Sequence, residues 1–241
     1  QRNGVRLFVG VVGALGLAAV TVSAWTLPRV PHSGEWMVFA ALAMVAGRFA
    51  FKVPGIDASL SVSDVFFIAS ALLFGPAPAT VAMAIDSLLI ARRRGWNRQR
   101  QLFNSASPAL SLWTGAQVFF WLSGTGPLYD ASAPADRIAL PLACFSAVYF
   151  LLNSGLTATA VALVQRSSPV GIWRRHFAVV SLNYFASASA AFLVFLVVQY
   201  VSVLALAAVL PLFAVIHLAM RSWAGRLEDA IDEGERRVGP V

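Results

Sequence analysis

Apolar segments recur along the whole chain, and short clusters of arginine separate them. The segments lie at about 5–27, 35–51, 62–74, 77–92, 102–124, 137–165, 176–199 and 202–222. A membrane-spanning helix needs about 20 apolar residues. Charged residues make up 12% of the chain, whereas a soluble domain carries about a quarter. The pattern therefore predicts an all-α polytopic membrane protein with about six to eight transmembrane helices. A cleaved signal peptide does not explain it, because the runs continue to the last segment.

The third and fourth segments are short, and they flank the sequence Gly75-Pro76-Ala77-Pro78. Glycine and proline at this point predict a break in the helix. The region 62–92 is therefore either two thin spans or one broken, re-entrant pair. Backbone of the second kind is tolerated at membrane depth only where it is buried in protein or lines a cavity.

Arginine is concentrated in four groups that fall on one side of the membrane if the eight segments alternate. The groups are Arg2 and Arg6; Arg92, Arg93, Arg94, Arg98 and Arg100; Arg166, Arg174 and Arg175; Arg221 and Arg226. The opposite loops, 28–34, 125–136 and 199–202, contain one arginine between them. The positive-inside rule then places both termini in the cytoplasm. The net charge of +7 comes from these clusters, so no nucleic-acid partner is expected.

The chain divides into a single transmembrane helical domain, 1–222, and a cytoplasmic helical extension, 223–241. In the extension, Leu227, Ile231, Gly234 and Val238 are spaced like the seam of a coiled coil. This spacing is typical of the start of a signalling linker in a homodimer. A solvated helix end is the alternative, since the run is shorter than two heptads.

Small residues recur where helices could meet. Examples are Gly10, Gly13 and Gly16 in the first segment and the run 186–191 in the seventh. Small side chains let helix backbones approach closely. Both runs predict ordinary helix packing.

Several polar residues map to the cytoplasmic half or the midplane of the predicted spans. They are Arg48, Asp64, Asp86, Asn104, Asn153 and Asn183. A carboxylate inside the membrane costs at least about 2.5–3.5 kcal/mol, so the two aspartates need partners. A structural pair with Arg48, contact with a ligand, and proton or ion coupling all stay open. The amides also serve in the simpler case as hydrogen bonds between helices.

A ladder of serines precedes the third segment, with Ser59, Ser61 and Ser63 followed by Asp64. In one interpretation Ser61 or Ser63 caps the helix and Asp64 lies in its first turn. In the other, the loop 53–63 folds back and contributes hydroxyls to a polar pocket. The candidate ligand-binding residues are Ser61, Ser63, Asp64, Asp86, Asn104, Asn153 and Asn183, with Arg48 as the candidate structural ion-pair partner.

Catalytic and metal-binding patterns are absent from the sequence. It contains no Gly-rich phosphate loop, no metal-ligand spacing and no nucleophile–base pattern. The single cysteine, Cys144, excludes an internal disulfide. His217 is a lone histidine in the last span, without a second one at comparable depth to support haem or chlorophyll ligation. We expect no enzyme activity, and the sequence identifies no cofactor.

The stretch from Gly47 to Phe120 carries a resemblance to a known class. Its motifs are Lys52-Val-Pro-Gly55, Ser61-Val-Ser63-Asp64, Phe74-Gly-Pro76, Asp86 and Phe103-Asn104. They resemble the membrane-embedded N-terminal sensor regions of bacterial diguanylate cyclases and HD-type phosphodiesterases. Those regions are similar in layout to the S components of energy-coupling-factor vitamin transporters.

The resemblance implies a bacterial inner-membrane protein that binds a small, vitamin-like ligand. As a sensor it would signal through its C-terminal helix to a covalent or associated cytoplasmic output domain. Two alternatives stay open: an S-component-like transport subunit, and a non-catalytic accessory subunit of a larger membrane complex.

Overall fold

The computed structural model describes residues 2–47, 51–52, 59–60, 62–131, 134–176 and 181–202, together with the isolated residues 215, 218, 219, 222 and 226. Several predictions fall elsewhere. Arg48, Ser61, His217, most of the last predicted span and nearly all of the extension 223–241 lie outside the described residues.

Helices dominate the described ranges, as the sequence predicts. They are α1 (Arg2–Thr26), a short 3-10 helix (Leu27–Arg29), α2 (Ser33–Gly47), α3 (Ser63–Phe74), α4 (Pro76–Arg93), α5 (Arg98–Ser123), α6 (Ala135–Gln165), α7 (Pro169–His176) and α8 (Ser181–Tyr200). Two strands of two residues each, β1 (Phe51–Lys52) and β2 (Ser59–Leu60), pair antiparallel between α2 and α3. The predicted all-α class is confirmed apart from this pair, and the chain folds back between residues 52 and 59.

The predicted break after the third segment is confirmed. Gly75 ends α3 with a φ of +90°, a backbone conformation that residues with a Cβ rarely adopt, and Pro76 begins α4 directly afterwards. With 12 residues, α3 is roughly 18 Å long, and α4 with 18 residues is roughly 27 Å long. The hydrocarbon core of a bilayer is about 30 Å thick, so α3 alone is too short to cross it.

The core of the fold forms around α3. Every residue of this helix except Asp64 is buried, and α2, α4 and α8 pack around it. Its last carbonyls would lack partners, as at any helix end. The backbone N–H groups of Leu128 and Tyr129, in the loop between α5 and α6, donate to the carbonyls of Leu72 and Leu73 at 3.0 Å. A distant loop therefore completes the end of the central helix.

A second close contact joins α1 to α5. A Cβ added at Gly16 would lie 2.5 Å from the Cβ and 2.6 Å from the carbonyl oxygen of Ala106. A Cβ at Gly13 would lie 2.8 Å from the side chain of Leu102, whereas one at Gly10 would meet nothing within 4 Å. Two of the three glycines in the first small-residue run thus allow the helices to touch.

The two ends of the bundle differ in charge. The start of α1, the α4–α5 loop and the end of α6 meet at one end, where Val5, Asn97 and Gln165 line a common cavity. We call it the arginine end, because the clusters 92–100 and 166 lie there. At the opposite end, His32 contacts Tyr129 and Asp130, and Gln199 donates to the carbonyl of Ala131 at 3.2 Å. Loops predicted to share a side therefore do share an end.

Two helical stretches in the described part of the chain are long and apolar enough to cross a membrane, by length and composition. They are Asn3–Arg29 and Arg137–Gln165. Ser33–Gly47, Ser63–Phe74 and Tyr184–Tyr200 are apolar but shorter. Large apolar side chains are exposed on the outside of the bundle, among them Leu7, Leu140 (both 71% exposed) and Trp121 (80% exposed).

Candidate functional site

A group of hydrogen-bonded polar side chains connects α3, α6 and α8. The Tyr149 hydroxyl donates to Oδ1 of Asp64 at 3.1 Å, and Nδ2 of Asn153 donates to the Tyr184 hydroxyl at 2.7 Å. We call Asp64, Tyr149, Asn153 and Tyr184 the tyrosine network. Tyr149 and Asn153 are four residues apart in α6, so they share one face of the helix. The network brings together two of the predicted site residues, Asp64 and Asn153.

Aromatic rings pack around these polar groups. The rings of Tyr149 and Tyr184 meet edge to face with centroids 5.0 Å apart, and the ring of Phe150 lies 5.3 Å from that of Tyr184. Trp173 of α7 packs on Phe150 at 5.7 Å, and its Nε1 donates to Oγ of Ser154 at 2.8 Å. The short helix α7 is thereby held against α6 beside the tyrosine network.

The network lies closer to the arginine end than to the opposite end. Tyr149 follows the start of α6 by 14 residues, and Tyr184 precedes Gln199 by 15 residues. At about 1.5 Å per residue, both tyrosines lie roughly 21–22 Å from the opposite end. The prediction that Asp64 and Asn153 occupy similar depths agrees with this position.

Asp86 is buried in α4, near the end of α2. A Cβ added at Gly47 would lie 3.3 Å from Oδ2 of Asp86, and the negative charges of Asp86 and Asp64 repel each other. Arg48 comes directly after Gly47 but lies outside the described residues. The ion pair of Arg48 with an aspartate therefore stays a prediction, with the neighbouring backbone next to one of the two candidate acids.

The other predicted site residues lie apart from the network or outside the described part. Asn104 is in α5, where its Nδ2 donates to the carbonyl of Arg100 at 2.8 Å, and it lines a separate cavity. Asn183 belongs to α8, but its side chain lies outside the described residues. The structure therefore does not gather all seven candidates into one pocket.

The start of α3 decides part of the serine question. Val62 occupies the N-cap position and makes no side-chain capping bond, and Ser63 is already inside the helix. The prediction that Ser63 caps the helix is therefore wrong, while Asp64 does lie in the first turn. Ser63 is buried, and Ser61 lies outside the described residues. Because no side chain caps the helix at Val62, Asp64 is positioned by its distant partner Tyr149.

Sequence reasoning missed Tyr149, Tyr184 and Trp173. It searched the spans for acids, amides and histidine, whereas tyrosine and tryptophan count as apolar in a hydropathy average. A buried tyrosine or tryptophan usually finds a partner for its polar atom. The spacing of Tyr149 and Asn153 was a readable signal that a polar face runs along α6.

The charged groups at the opposite end form a smaller cluster. Nε2 of His32 and Oδ2 of Asp130 are 2.7 Å apart, and the His32 ring lies 4.3 Å from that of Tyr129. Partial burial, Glu35 and Asp130 raise the pKa of Tyr129 above its ordinary value, so the phenol is neutral near pH 7. These exposed contacts join two loops, and they leave the tyrosine network as the main buried polar site.

The chemistry available to the network is hydrogen bonding. Among the described residues, no group of three His, Cys, Asp or Glu side chains could hold a metal ion. The hydroxyl proton of Tyr184 and the side-chain oxygen of Asn153 make no hydrogen bond to a described residue. The network can therefore offer a donor and an acceptor to a bound molecule.

No protein-family model matches this chain, and no curated protein or solved structure matches it either.

Proposed function

We propose that this chain is a multi-pass protein of the bacterial inner membrane, with both termini in the cytoplasm, that binds a small molecule at the tyrosine network. In this proposal the protein is a sensor input module without enzyme activity, and it signals through its C-terminal helix. The described helices provide six to eight spans only if the shorter apolar helices also lie within the bilayer.

One observation carries the proposal: the polarity of the bundle is inverted. Large apolar side chains such as Leu7, Trp121 and Leu140 face outward, while Asp64, Asn153 and the two tyrosine hydroxyls lie between the helices. Contiguous apolar surface is rare on soluble monomers, whereas polar residues of membrane proteins face the bundle interior. A bilayer is the solvent that suits this arrangement.

The binding role rests on the unused hydrogen-bonding capacity of the network. A polar ligand could bond to the Tyr184 hydroxyl and the Asn153 oxygen while the rings of Tyr149 and Phe150 contact its apolar surface. Small-molecule sites combine mostly apolar and aromatic walls with a few polar groups in this way. For signalling, the ligand must bind two conformations with different affinity, and α7, held by one hydrogen bond from Trp173, is a movable element next to the site.

Ligand binding is tested by thermal unfolding of the protein in detergent against a panel of water-soluble vitamins, nucleosides and amines. We expect at least one compound to raise the Tm of the wild type and of the control variant Tyr200→Phe, whose tyrosine is exposed. The same compound should not raise the Tm of Tyr184→Phe, which lacks only the hydroxyl. An equal rise in both variants would remove the network from the binding site.

A second function, the accessory subunit of a larger complex, is favoured by a different observation. Asp64 pairs with Tyr149 and Asn153 pairs with Tyr184, so the polar groups already satisfy one another in part. If no panel member raises the Tm and solvent extracts of the purified protein contain no bound metabolite, this structural role is the better explanation. Co-purification of partner proteins would then support it. An S-component-like subunit would instead co-purify with an ATPase and accumulate its ligand.

Membrane topology is tested by cysteine labelling in a Cys144→Ala background. A cysteine replacing Arg94 probes the arginine end, and one replacing Gly126 probes the opposite end, where an added Cβ meets nothing within 4 Å. We expect a membrane-impermeant maleimide to label position 126 in intact spheroplasts and position 94 only after permeabilisation. The reverse pattern would overturn the orientation, and labelling of both positions in intact spheroplasts would contradict a closed bundle with this topology.

A further inference from the structure

A cavity of about 430 Å³ opens at the arginine end between α1, α5 and α6. It is separate from the tyrosine network, and Asn104 is the one predicted site residue that lines it. Its volume falls within the range of about 300–1,000 Å³ that is typical of small-molecule sites. None of the proposed roles of the chain accounts for this cavity.

The lining changes from polar to apolar along the cavity. Asn97, Arg100 and Gln165 line it where α5 begins and α6 ends. Val9, Phe103 and Val161 line it further from these helix ends. A ligand that fits must therefore carry a polar group at one end and a hydrocarbon portion at the other.

The charge of the polar end is positive. Arg100 is exposed, and its guanidinium stacks on the Trp96 ring at 4.2 Å. It makes no ion pair with an acid in the described part of the chain, and the described lining contains no acidic side chain. Arg98 and Arg166 are sequence neighbours of lining residues. The polar group of the ligand is therefore expected to be an anion.

We propose that this cavity binds one anionic phospholipid, with the phosphate at Arg100 and an acyl chain along Phe103, Val9 and Val161. Basic pockets between transmembrane helices on the cytoplasmic side bind such headgroups, and the fork of an arginine matches a phosphate group. The proposal rests on the membrane location proposed above. Its occupant is a lipid because one ligand has to satisfy both the arginine and the apolar walls.

The test is native mass spectrometry of the full chain in detergent, titrated with dioleoyl-phosphatidylglycerol or with dioleoyl-phosphatidylcholine. We expect the wild type to bind phosphatidylglycerol roughly tenfold or more tightly, the size of a hydrogen-bonded charge contact. Arg100→Gln should remove this preference. Arg93→Gln, which changes an exposed arginine of the same region outside the cavity, should keep it.

A second variant tests the apolar part without changing the charge. Val161→Phe places a larger side chain in the cavity and should reduce the affinity for phosphatidylglycerol to that for phosphatidylcholine. Equal affinity for the two lipids in the wild type, or equal effects of Arg100→Gln and Arg93→Gln, would overturn the proposal. Displacement of the lipid by inorganic phosphate would show a site for free phosphate instead. Because the titration is made in detergent, its failure leaves the cysteine-labelling result on membrane topology untouched.

Discussion

Replacement of Gly16 by alanine tests the contact between α1 and α5 with a single methyl group. The added Cβ would lie within 2.8 Å of three atoms of Ala106, and two of them, the carbonyl oxygen and Cα, belong to the backbone. A helix backbone cannot rotate away as a side chain can. The two helices must therefore move apart, or the contact must be strained.

The magnitude follows from two opposing effects. Alanine is favoured over glycine in a helix by about 0.5–1 kcal/mol, and overpacking a close contact costs about 1–3 kcal/mol. Gly10→Ala receives only the gain, because its Cβ meets nothing within 4 Å. Gly16→Ala receives both effects, with a cost near the upper limit, so it should lose about 2 kcal/mol of unfolding free energy. The difference between the two variants removes the shared gain and should be about 3 kcal/mol.

The assay is reversible unfolding in mixed detergent micelles, followed by circular dichroism. Gly13→Ala should fall between the other two variants, because its new Cβ meets the side chain of Leu102, which can turn aside. If Gly16→Ala and Gly10→Ala agree within about 0.5 kcal/mol, the range of ordinary surface substitutions, the close packing of α1 on α5 described above is refuted.

Two further substitutions test the polar contacts. Tyr149→Phe removes the hydroxyl that donates to Asp64, and it should lower the unfolding free energy by about 1–3 kcal/mol because the carboxylate loses its donor. Tyr200→Phe is the matched control, and an equal effect of both would contradict the contact. Trp173→Phe should cost about 1 kcal/mol and increase proteolysis within α7, since the indole N–H no longer bonds to Ser154. Unchanged proteolysis would show that other contacts hold this helix.

Local features of the fold could be predicted because each has a short-range physical cause. The break at Gly75 and Pro76 follows from glycine and proline chemistry, and it lies where the sequence places it. The start of α5 was predicted at about residue 102 but lies at Arg98. The prediction followed apolar residues alone, whereas Asn97 caps the helix by accepting a hydrogen bond from the backbone N–H of Arg100.

The candidate site was harder to predict because its contacts join distant parts of the chain. Asp64 and Tyr149 are 85 residues apart, and no periodic pattern indicates which helices become neighbours. The polar residues were therefore placed at the correct depth but grouped into one pocket, although Asn104 belongs to another cavity. The helix α7 was also missed, since its eight residues are too few and too polar for the search by apolar segments.

The hydrogen bonds from the α5–α6 loop to the end of α3 impose an order on assembly. Leu72 and its partner Leu128 are 56 residues apart. At synthesis rates of roughly 5–20 residues per second, the partner emerges roughly 3–11 s later. During this interval the central helix exists without the groups that complete its end. The last step in building the centre of the molecule is therefore the arrival of a loop, and a stall in translation after α4 would leave an unfinished core.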